Sequence, residues 1–180
     1  MLREMFASAV NVGHSAFRVT EGYRTYEQQS LLFDSAADSS FVARPGHSEH
    51  HTGLAADISY HGVNIATSVQ GTWLMENAYR YGFILRYPMH KTDITSFPFE
   101  PWHYRFVGQL HAYFMHKNDL VLEEYIDHLR KHREISISLD GVDYTVFYLA
   151  NTDEAIEIPM NYSFTASLDN TGGIIVTVWQ

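Results

Sequence analysis

Apolar residues at the start of the chain recur at the spacing of a helix, and shorter runs after them alternate like strands. The first helix is predicted from four such residues, Leu2, Met5, Phe6 and Val10. We expect it to end near Gly13, and residues 16–20 (AFRVT) to form a short strand. Residues 26–37 are predicted to be a second helix. Its inward face is expected to carry three apolar residues, Leu31, Leu32 and Ala36.

The middle of the chain begins with residues 39–53 (SSFVARPGHSEHHTG), whose serine, proline and glycine predict a long loop. Three elements are then predicted from the hydrophobic pattern: a strand at 54–60, a helix over 72–81 that Gly82 ends, and a strand at 83–87. In residues 97–108 (FPFEPWHYRFVG), large side chains alternate around two prolines. We expect this segment to be a strand that ends in a turn near Pro101.

The hydrophobic pattern changes after Arg133, from helical spacing to β-rich runs. Residues 109–132 predict one helix or two, with a break near Asn118 and Asp119. Beyond them, two β-rich runs flank Asp140-Gly141, a strong hairpin signal, and further strands are predicted at 155–159 and 173–180. Histidines are confined to the part before residue 133. We therefore divide the chain into a domain over 1–133, which holds the candidate chemistry, and a small β subdomain over 134–180.

Composition narrows the class of protein. The chain has 180 residues, 46% of them hydrophobic and 14% aromatic, which supports a sizeable core and argues against disorder. A formal net charge of −9 disfavours binding to nucleic acid, and no segment is long and apolar enough to span a bilayer. The absence of cysteine excludes disulfides, thiolate zinc sites and cysteine nucleophiles.

The first residues do not have the pattern of a signal peptide. Arg3 and Glu4 come early, and no apolar run of the required length follows them. We therefore expect either a cytoplasmic protein or a chain from which an export signal has been removed.

Candidate chemistry centres on His50. It lies seven residues before Asp57, and a loop that leads into a strand can direct both side chains to one place. Imidazole and carboxylate together suit Zn²⁺, and three protein ligands leave a position open for water. A third ligand is available at His103, with Glu100 three residues earlier as a group that can accept a proton. The remaining histidines outside this region are interpreted as surface or capping residues: His14, His61, His90, His111, His116, His128 and His132.

The pattern Ser48-x-His50-x-x-Gly53-x-Ala55-x-Asp57, followed by Glu100-x-x-His103, resembles the zinc signature of VanY-type D-alanyl-D-alanine carboxypeptidases. Relatives of that family include VanX-like dipeptidases, L,D-carboxypeptidases and the zinc domain of hedgehog proteins. Further segments match in the family's order: EGYRTYEQQ, RPGHSEHHTGLAADI, YGFILRYP, FEPWHYRFVG and LEEY. The resemblance implies an α+β fold, with a small antiparallel sheet flanked by helices, a zinc site on the sheet and a short C-terminal β appendage.

The resemblance also implies roles for individual residues. The expected zinc ligands are His50, Asp57 and His103. Glu100 would be the general base and would then pass the proton to the leaving amine. Arg24 would meet the substrate's terminal carboxylate or the oxyanion, and Gln29 and Ser48 would hydrogen-bond the substrate backbone.

Other interpretations of these residues remain open. Ser48 could cap a turn, Gln29 could be a surface residue, and Arg24 could pair with a nearby glutamate. Trp102 is expected to pack and so to fix the ligand loop. Glu49 is not counted as a ligand, because an extended backbone would turn it away from His50.

The expected function is that of a zinc carboxypeptidase that removes the terminal D-alanine from peptidoglycan stem peptides. Two alternatives stay open: an L,D-carboxypeptidase acting on tetrapeptide stems, and a non-catalytic zinc-bearing module that binds the cell wall. Glu100 favours an enzyme, because a binding module has no need of a base there. We expect a monomer that works at the cell-wall face of a bacterium, with a cytoplasmic enzyme as the alternative location.

Overall fold

The structure is a computed structural model and describes residues 1–61 and 64–180. Its helices are α1 Leu2–Asn11, α2 Tyr26–Ser35, α3 Val69–Asn77, α4 Thr92–Thr95, α5 Gln109–Lys117 and α6 Leu122–His132. Its strands are β1 Phe17–Glu21, β2 Ala55–Tyr60, β3 Phe83–Leu85, β4 His103–Phe106, β5 Glu134–Leu139, β6 Val142–Leu149, β7 Ser163–Leu168 and β8 Ile174–Trp179. No helix in these two ranges is long and apolar enough to cross a membrane.

The strands form two antiparallel sheets of four, ordered β1-β2-β4-β3 and β5-β6-β8-β7. The predicted fold class, an antiparallel sheet with helices and a C-terminal β appendage, is confirmed. Contacts divide the chain into two compact units, Met1–Val121 and Leu122–Gln180. The sequence boundary lay after Arg133, whereas α6 groups with the second unit because it contacts β5 and β6. The functional division at 133 stays a prediction.

The first sheet is backed by one apolar cluster. Met5 from α1, Ile58 from β2 and Leu74 from α3 are fully buried in it, and Tyr104 places its ring there from β4. Burial of such side chains contributes roughly 1.5–3 kcal/mol each. This cluster fixes β2 and β4, the strands that carry Asp57 and His103.

The prediction that Leu31 and Leu32 lie on the inward face of α2 is wrong. Leu31 is 71% exposed and Leu32 is 38% exposed, whereas Gln29 is completely buried. The amide of Gln29 is satisfied by hydrogen bonds to Arg24 and to the carbonyl of Ala43, so this helix is anchored through polar contacts. Hydrophobic periodicity does not detect a face of that kind.

The strand expected to end near Pro101 instead begins after it, at His103. Pro101 has no N–H to donate to a ladder, and the chain turns here, with the His103 N–H donating to the Glu100 carbonyl at 3.1 Å. The Glu100 N–H donates to the carbonyl of Tyr87 at 3.1 Å, which holds this turn against the segment after β3. The turn therefore brings Glu100 and His103 to the same end of β4.

The second unit has the predicted hairpin, because β5 and β6 pair around Asp140 and Gly141, which both have positive φ. The break between α5 and α6 is also confirmed. The prediction of a strand at 155–159 is wrong. The strand that follows β6 along the chain is β7, Ser163–Leu168. All six residues of β7 are exposed, so it shows no alternation of buried and exposed positions.

Candidate metal centre

His50 lies on a single turn of 3₁₀ helix, Glu49–Thr52, within the segment expected to be loop. Ser48 caps this turn, because its Oγ accepts the His50 N–H at 3.3 Å. Gly53 ends the turn with φ 70°, a conformation that glycine adopts at little cost. The turn leaves the His50 side chain buried and directed toward Asp57 in β2.

Asp57 and His103 lie opposite each other on the neighbouring strands β2 and β4. They are register partners in the antiparallel pairing of β2 with β4. Asp57 Oδ1 lies 3.0 Å from His103 Nδ1 and 3.5 Å from His50 Nε2. One ligand atom from each of the three residues lies within 4.8 Å of the other two.

Each histidine has its other ring nitrogen next to an acceptor. His50 Nδ1 is 2.6 Å from the carbonyl oxygen of Gly22, so Nδ1–H donates there and Nε2 is left to face Asp57. His103 Nε2 is 3.4 Å from a carboxylate oxygen of Glu49, and its Nδ1 faces Asp57. Such outer partners fix the tautomer of a ligating histidine.

The three residues fit a zinc ion. Asp57 Oδ1 is buried and has no hydrogen-bond partner among the described residues, which is costly for a carboxylate unless a cation or donor satisfies it. Burial alone would raise the pKa of Asp57, but the adjacent imidazoles of His103 and His50 outweigh it and hold the pKa well below its usual range. Two imidazoles and one carboxylate are a donor set typical of catalytic zinc.

Glu100 lies beside this cluster without belonging to it. Its Oε2 is 3.8 Å from His103 Nδ1, and the residue is 4% exposed. Burial raises the pKa of Glu100 to about 7, and the carboxylates of Asp57 and Glu49 add to the rise while His103 opposes it. A carboxylate with a pKa near neutrality is suited to exchange protons with a reacting group.

Arg24 reaches the cluster from the loop before α2. Its backbone N–H donates to the His50 carbonyl at 3.2 Å, which joins this loop to the turn that carries His50. Its Nη1 donates to Gln29 Oε1 at 2.7 Å, and its Nη2 lies 3.3 Å from Glu21 Oε2. The Arg24–Glu21 pairing that the sequence left open is thus present, and it leaves the guanidinium in place beside the centre.

One cleft joins these features, with an empty volume of about 550 Å³. All seven residues singled out from the sequence line it: Arg24, Gln29, Ser48, His50, Asp57, Glu100 and His103. Apolar and aromatic side chains complete its wall: Leu32, Phe41, Val42, Tyr87, Phe97 and Trp102. The structure brings the seven residues together, and their individual roles stay predictions.

Glu49 is the residue that the sequence interpretation missed. The backbone here is helical and not extended, so Glu49 and His50 both contribute to the centre. Its Oε1 accepts from Arg86 Nε at 2.8 Å and lies 3.1 Å from Arg105 Nη1. Burial would raise the pKa of Glu49, but His103 and the two arginines outweigh it and hold the pKa at about 2. The sequence signal for this role was an arginine in each of two otherwise apolar or aromatic segments, FILRY and YRFV.

Comparison with protein families gives a match to the model described as "VanY: D-alanyl-D-alanine carboxypeptidase" over residues 1–109. The chain belongs to the VanY family. A D-alanyl-D-alanine carboxypeptidase of Enterococcus faecium is 40% identical to this VanY-family chain over 177 residues, which are 98% of the chain and 58% of the relative. The chain thus spans somewhat more than half the length of that curated relative.

Two solved structures extend the comparison of this VanY-family chain. The vancomycin-resistance D,D-dipeptidase VanXYg, in complex with a D-Ala-D-Ala phosphinate analog, is 28% identical with a TM-score of 0.87, covering 99% of this chain and 78% of that one. A mutant of the vancomycin-resistance D,D-pentapeptidase VanY from a VanB-type cassette, in complex with Zn(II), is 40% identical. Its TM-score is 0.63, and the match covers 69% of this chain and 79% of that one.

Proposed function

We propose that this protein is a zinc-dependent carboxypeptidase that removes the terminal D-alanine from D-Ala-D-Ala peptidoglycan stem peptides. The observation that carries the proposal is the buried cluster of His50, Asp57 and His103 with Glu100 beside it. Family membership and the Zn(II) complex of a related VanY support the same reaction class.

The metal would be held by His50 Nε2, His103 Nδ1 and a carboxylate oxygen of Asp57. When bound, zinc supplies a Lewis acid that polarises a carbonyl and lowers the pKa of a coordinated water. The outer contacts of the two histidines hold each ring so that its free nitrogen points at the cluster.

Glu100 is the proton carrier of the proposed reaction. Its carboxylate accepts a proton from the attacking water and then delivers that proton to the amine of the departing D-alanine. Burial favours this shuttling, because it raises the pKa of Glu100 toward the pH at which the enzyme would work. A purely wall-binding zinc module has no use for a buried acid at this position.

Arg24 recognises the end of the peptide. Its guanidinium lines the cleft and can form two parallel hydrogen bonds with a terminal carboxylate. Gln29 holds the guanidinium through its Oε1 and holds the Ala43 carbonyl through its Nε2 at 2.7 Å. We therefore assign Gln29 to positioning of Arg24 as well as to the cleft wall. Ser48 lines the cleft while its Oγ caps the turn that carries His50.

The deciding experiment incubates the purified protein with three substrates: a pentapeptide stem ending in D-Ala-D-Ala, a tetrapeptide stem, and free D-Ala-D-Ala. Product masses are measured before and after chelation and zinc restoration. We expect loss of one D-alanine from the pentapeptide, abolished by the chelator and restored by about one zinc per chain. Cleavage of the tetrapeptide alone would assign L,D specificity, and cleavage of the dipeptide alone would assign a dipeptidase. Hydrolysis by thoroughly metal-free protein would reject the zinc mechanism.

A location at the cell-wall face remains part of the proposal. The substrate is a component of the wall, and fractionation of cells that produce the native protein tests the location. Recovery of all the protein in the cytoplasm would favour an enzyme of wall precursors or recycled stems.

A further inference from the structure

The carboxylate of Glu49 divides its two oxygens between two different tasks. Oε1 contacts the guanidinium groups of Arg86 and Arg105, at 2.8 Å and 3.1 Å. Oε2 is left for His103, whose Nε2 is 3.4 Å away. The Glu49 side chain is 13% exposed, so it acts in a largely water-excluded environment.

The arginine side of this arrangement fixes where the carboxylate lies. Arg86 follows β3 and Arg105 belongs to β4, and both residues are buried. Two charged donors on one oxygen hold the carboxylate plane, so its other oxygen has little freedom to leave His103. A role confined to neutralising the arginines would not require Oε2 to face an imidazole nitrogen.

The His103 side determines which nitrogen is available to a metal. A neutral imidazole carries one N–H, and a carboxylate that accepts from Nε2 leaves Nδ1 with its lone pair. Nδ1 is the nitrogen that lies 3.0 Å from Asp57 Oδ1. The turn Glu49–Thr52 thus supplies one expected ligand, His50, and also the partner of another, His103.

We propose that Glu49 is a positioning residue for the metal centre, which accepts the Nε2–H of His103 and so presents Nδ1 to zinc. This inference rests on the proposed function, because it assumes that the centre holds zinc. Glu49 itself would touch neither the metal nor the substrate, and its effect would pass through His103.

Glu49→Gln tests the role at nearly constant shape. If the new amide keeps its oxygen toward the arginines, its NH₂ faces the Nε2–H of His103, donor against donor. If the amide turns over, its NH₂ faces two guanidinium groups instead. The first arrangement opposes the required tautomer, and the second loses the arginine contacts that hold the group against His103. In either case zinc affinity, measured by competition with a chromophoric chelator, should fall about 10- to 100-fold. Glu76→Gln, an exposed glutamate outside the cleft, is the matched control and should bind zinc like the native protein.

A second measurement reads the contact directly. In zinc-loaded native protein labelled with ¹⁵N at histidine, the Nε2–H proton of His103 should be shifted downfield and protected from exchange with water. In Glu49→Gln this signal should move or exchange rapidly. A merely structural role would lower the melting temperature of the metal-free protein and leave both zinc affinity and this signal unchanged, which would overturn the proposal.

The Nε2–H signal of His103 in the native protein tests the proposal even if Glu49→Gln does not fold. Coordination of zinc through His103 Nε2, or an Nε2–H that exchanges freely, would overturn the inference. Failure of the proposed function looks different: the native protein itself would then bind no zinc or release no amino acid from any of the three peptides.

Discussion

Glu100 provides the sharpest test at the scale of single residues. Its carboxylate is buried next to the three expected ligands but is not one of them. Replacing Glu100 by alanine or glutamine should therefore leave zinc content unchanged and lower kcat by about 10²- to 10⁴-fold, since the proton carrier is lost. The measurements are metal analysis and the rate of D-alanine release. Near-normal turnover in either variant would require another base.

Arg24 allows a test of how the peptide end is recognised. Arg24→Lys keeps the positive charge but loses the planar fork, so kcat/KM should fall roughly 10- to 100-fold while zinc binding is retained. Glu21→Gln is the control, because it removes a half-exposed partner of the same guanidinium and should change kcat/KM little.

A comparison of two substrates distinguishes two possible roles for Arg24. A substrate with an amidated C-terminus should be poor for the native enzyme if the contact is to the carboxylate. Equal hydrolysis of amidated and free peptides would assign Arg24 to the oxyanion, or would indicate endopeptidase activity.

At the scale of elements, the β5–β6 hairpin depends on its turn. Gly141 has φ 81°, and an added Cβ would meet no atom within 4 Å, so the cost of a side chain is in the backbone alone. Gly141→Ala should lower the free energy of unfolding by about 1 kcal/mol, measured by denaturant titration. Gly22→Ala is the control, since Gly22 has equal space and no positive φ. Equal stabilities of the two variants would contradict this account.

The loop between β7 and β8 is organised by Asp169. Its carboxylate accepts the N–H groups of Thr171 at 2.7 Å and Gly173 at 2.8 Å, and the hydroxyl of Tyr148 at 2.7 Å. Burial by itself would raise the pKa of Asp169, but these donors outweigh it and hold the pKa well below its usual range. Because the folded state favours the ionised form, this contribution to stability is present above about pH 4 and is lost as the pH falls further.

Asp169→Asn should lower the free energy of unfolding by about 2 kcal/mol at pH 7, because an amide cannot accept all of these hydrogen bonds. The difference from the native protein should narrow below about pH 4, where Asp169 begins to protonate in the unfolded state while it is still ionised in the folded state. Denaturation at several pH values checks this, with the exposed Asp153→Asn as control. A difference that stays constant from pH 7 to pH 2 would exclude the carboxylate's charge as its source.

At the scale of the whole molecule, the seven cleft residues all belong to the first unit. A chain that ends at Val121 should therefore still bind zinc. A chain that ends at Arg133 keeps α6 but loses β5 and β6, which α6 contacts. It should be the less soluble of the two, because the apolar face of α6, with Tyr125, Ile126 and Leu129, loses strands that it contacts.

Solubility and zinc content of the two truncated chains check this prediction. A soluble, folded chain ending at Val121 that cannot hold zinc would show that the second unit helps to build the centre. Greater solubility of the longer chain would contradict the role assigned to α6.

The sequence was most informative where chemistry depends on short spacings. His50 and Asp57 are seven residues apart, and Glu100 and His103 are three apart, so the members of each pair are close in the chain. The Asp140-Gly141 turn and the break between α5 and α6 are local in the same way, and both were predicted. Residue types and close spacings therefore suggested zinc chemistry, and the resemblance to the VanY family implied the ligand set.

The tertiary structure decided what depends on partners distant in the chain. The pairing of β2 with β4 sets Asp57 opposite His103, and a buried hydrogen-bond network turns Gln29 rather than Leu31 inward. The contact of Glu49 with His103 depends on a helical turn and on two buried arginines, which only the tertiary structure brings together. Hydrophobic periodicity measures the burial of apolar surface, whereas these features arise because buried polar groups must find partners wherever in the chain those partners lie.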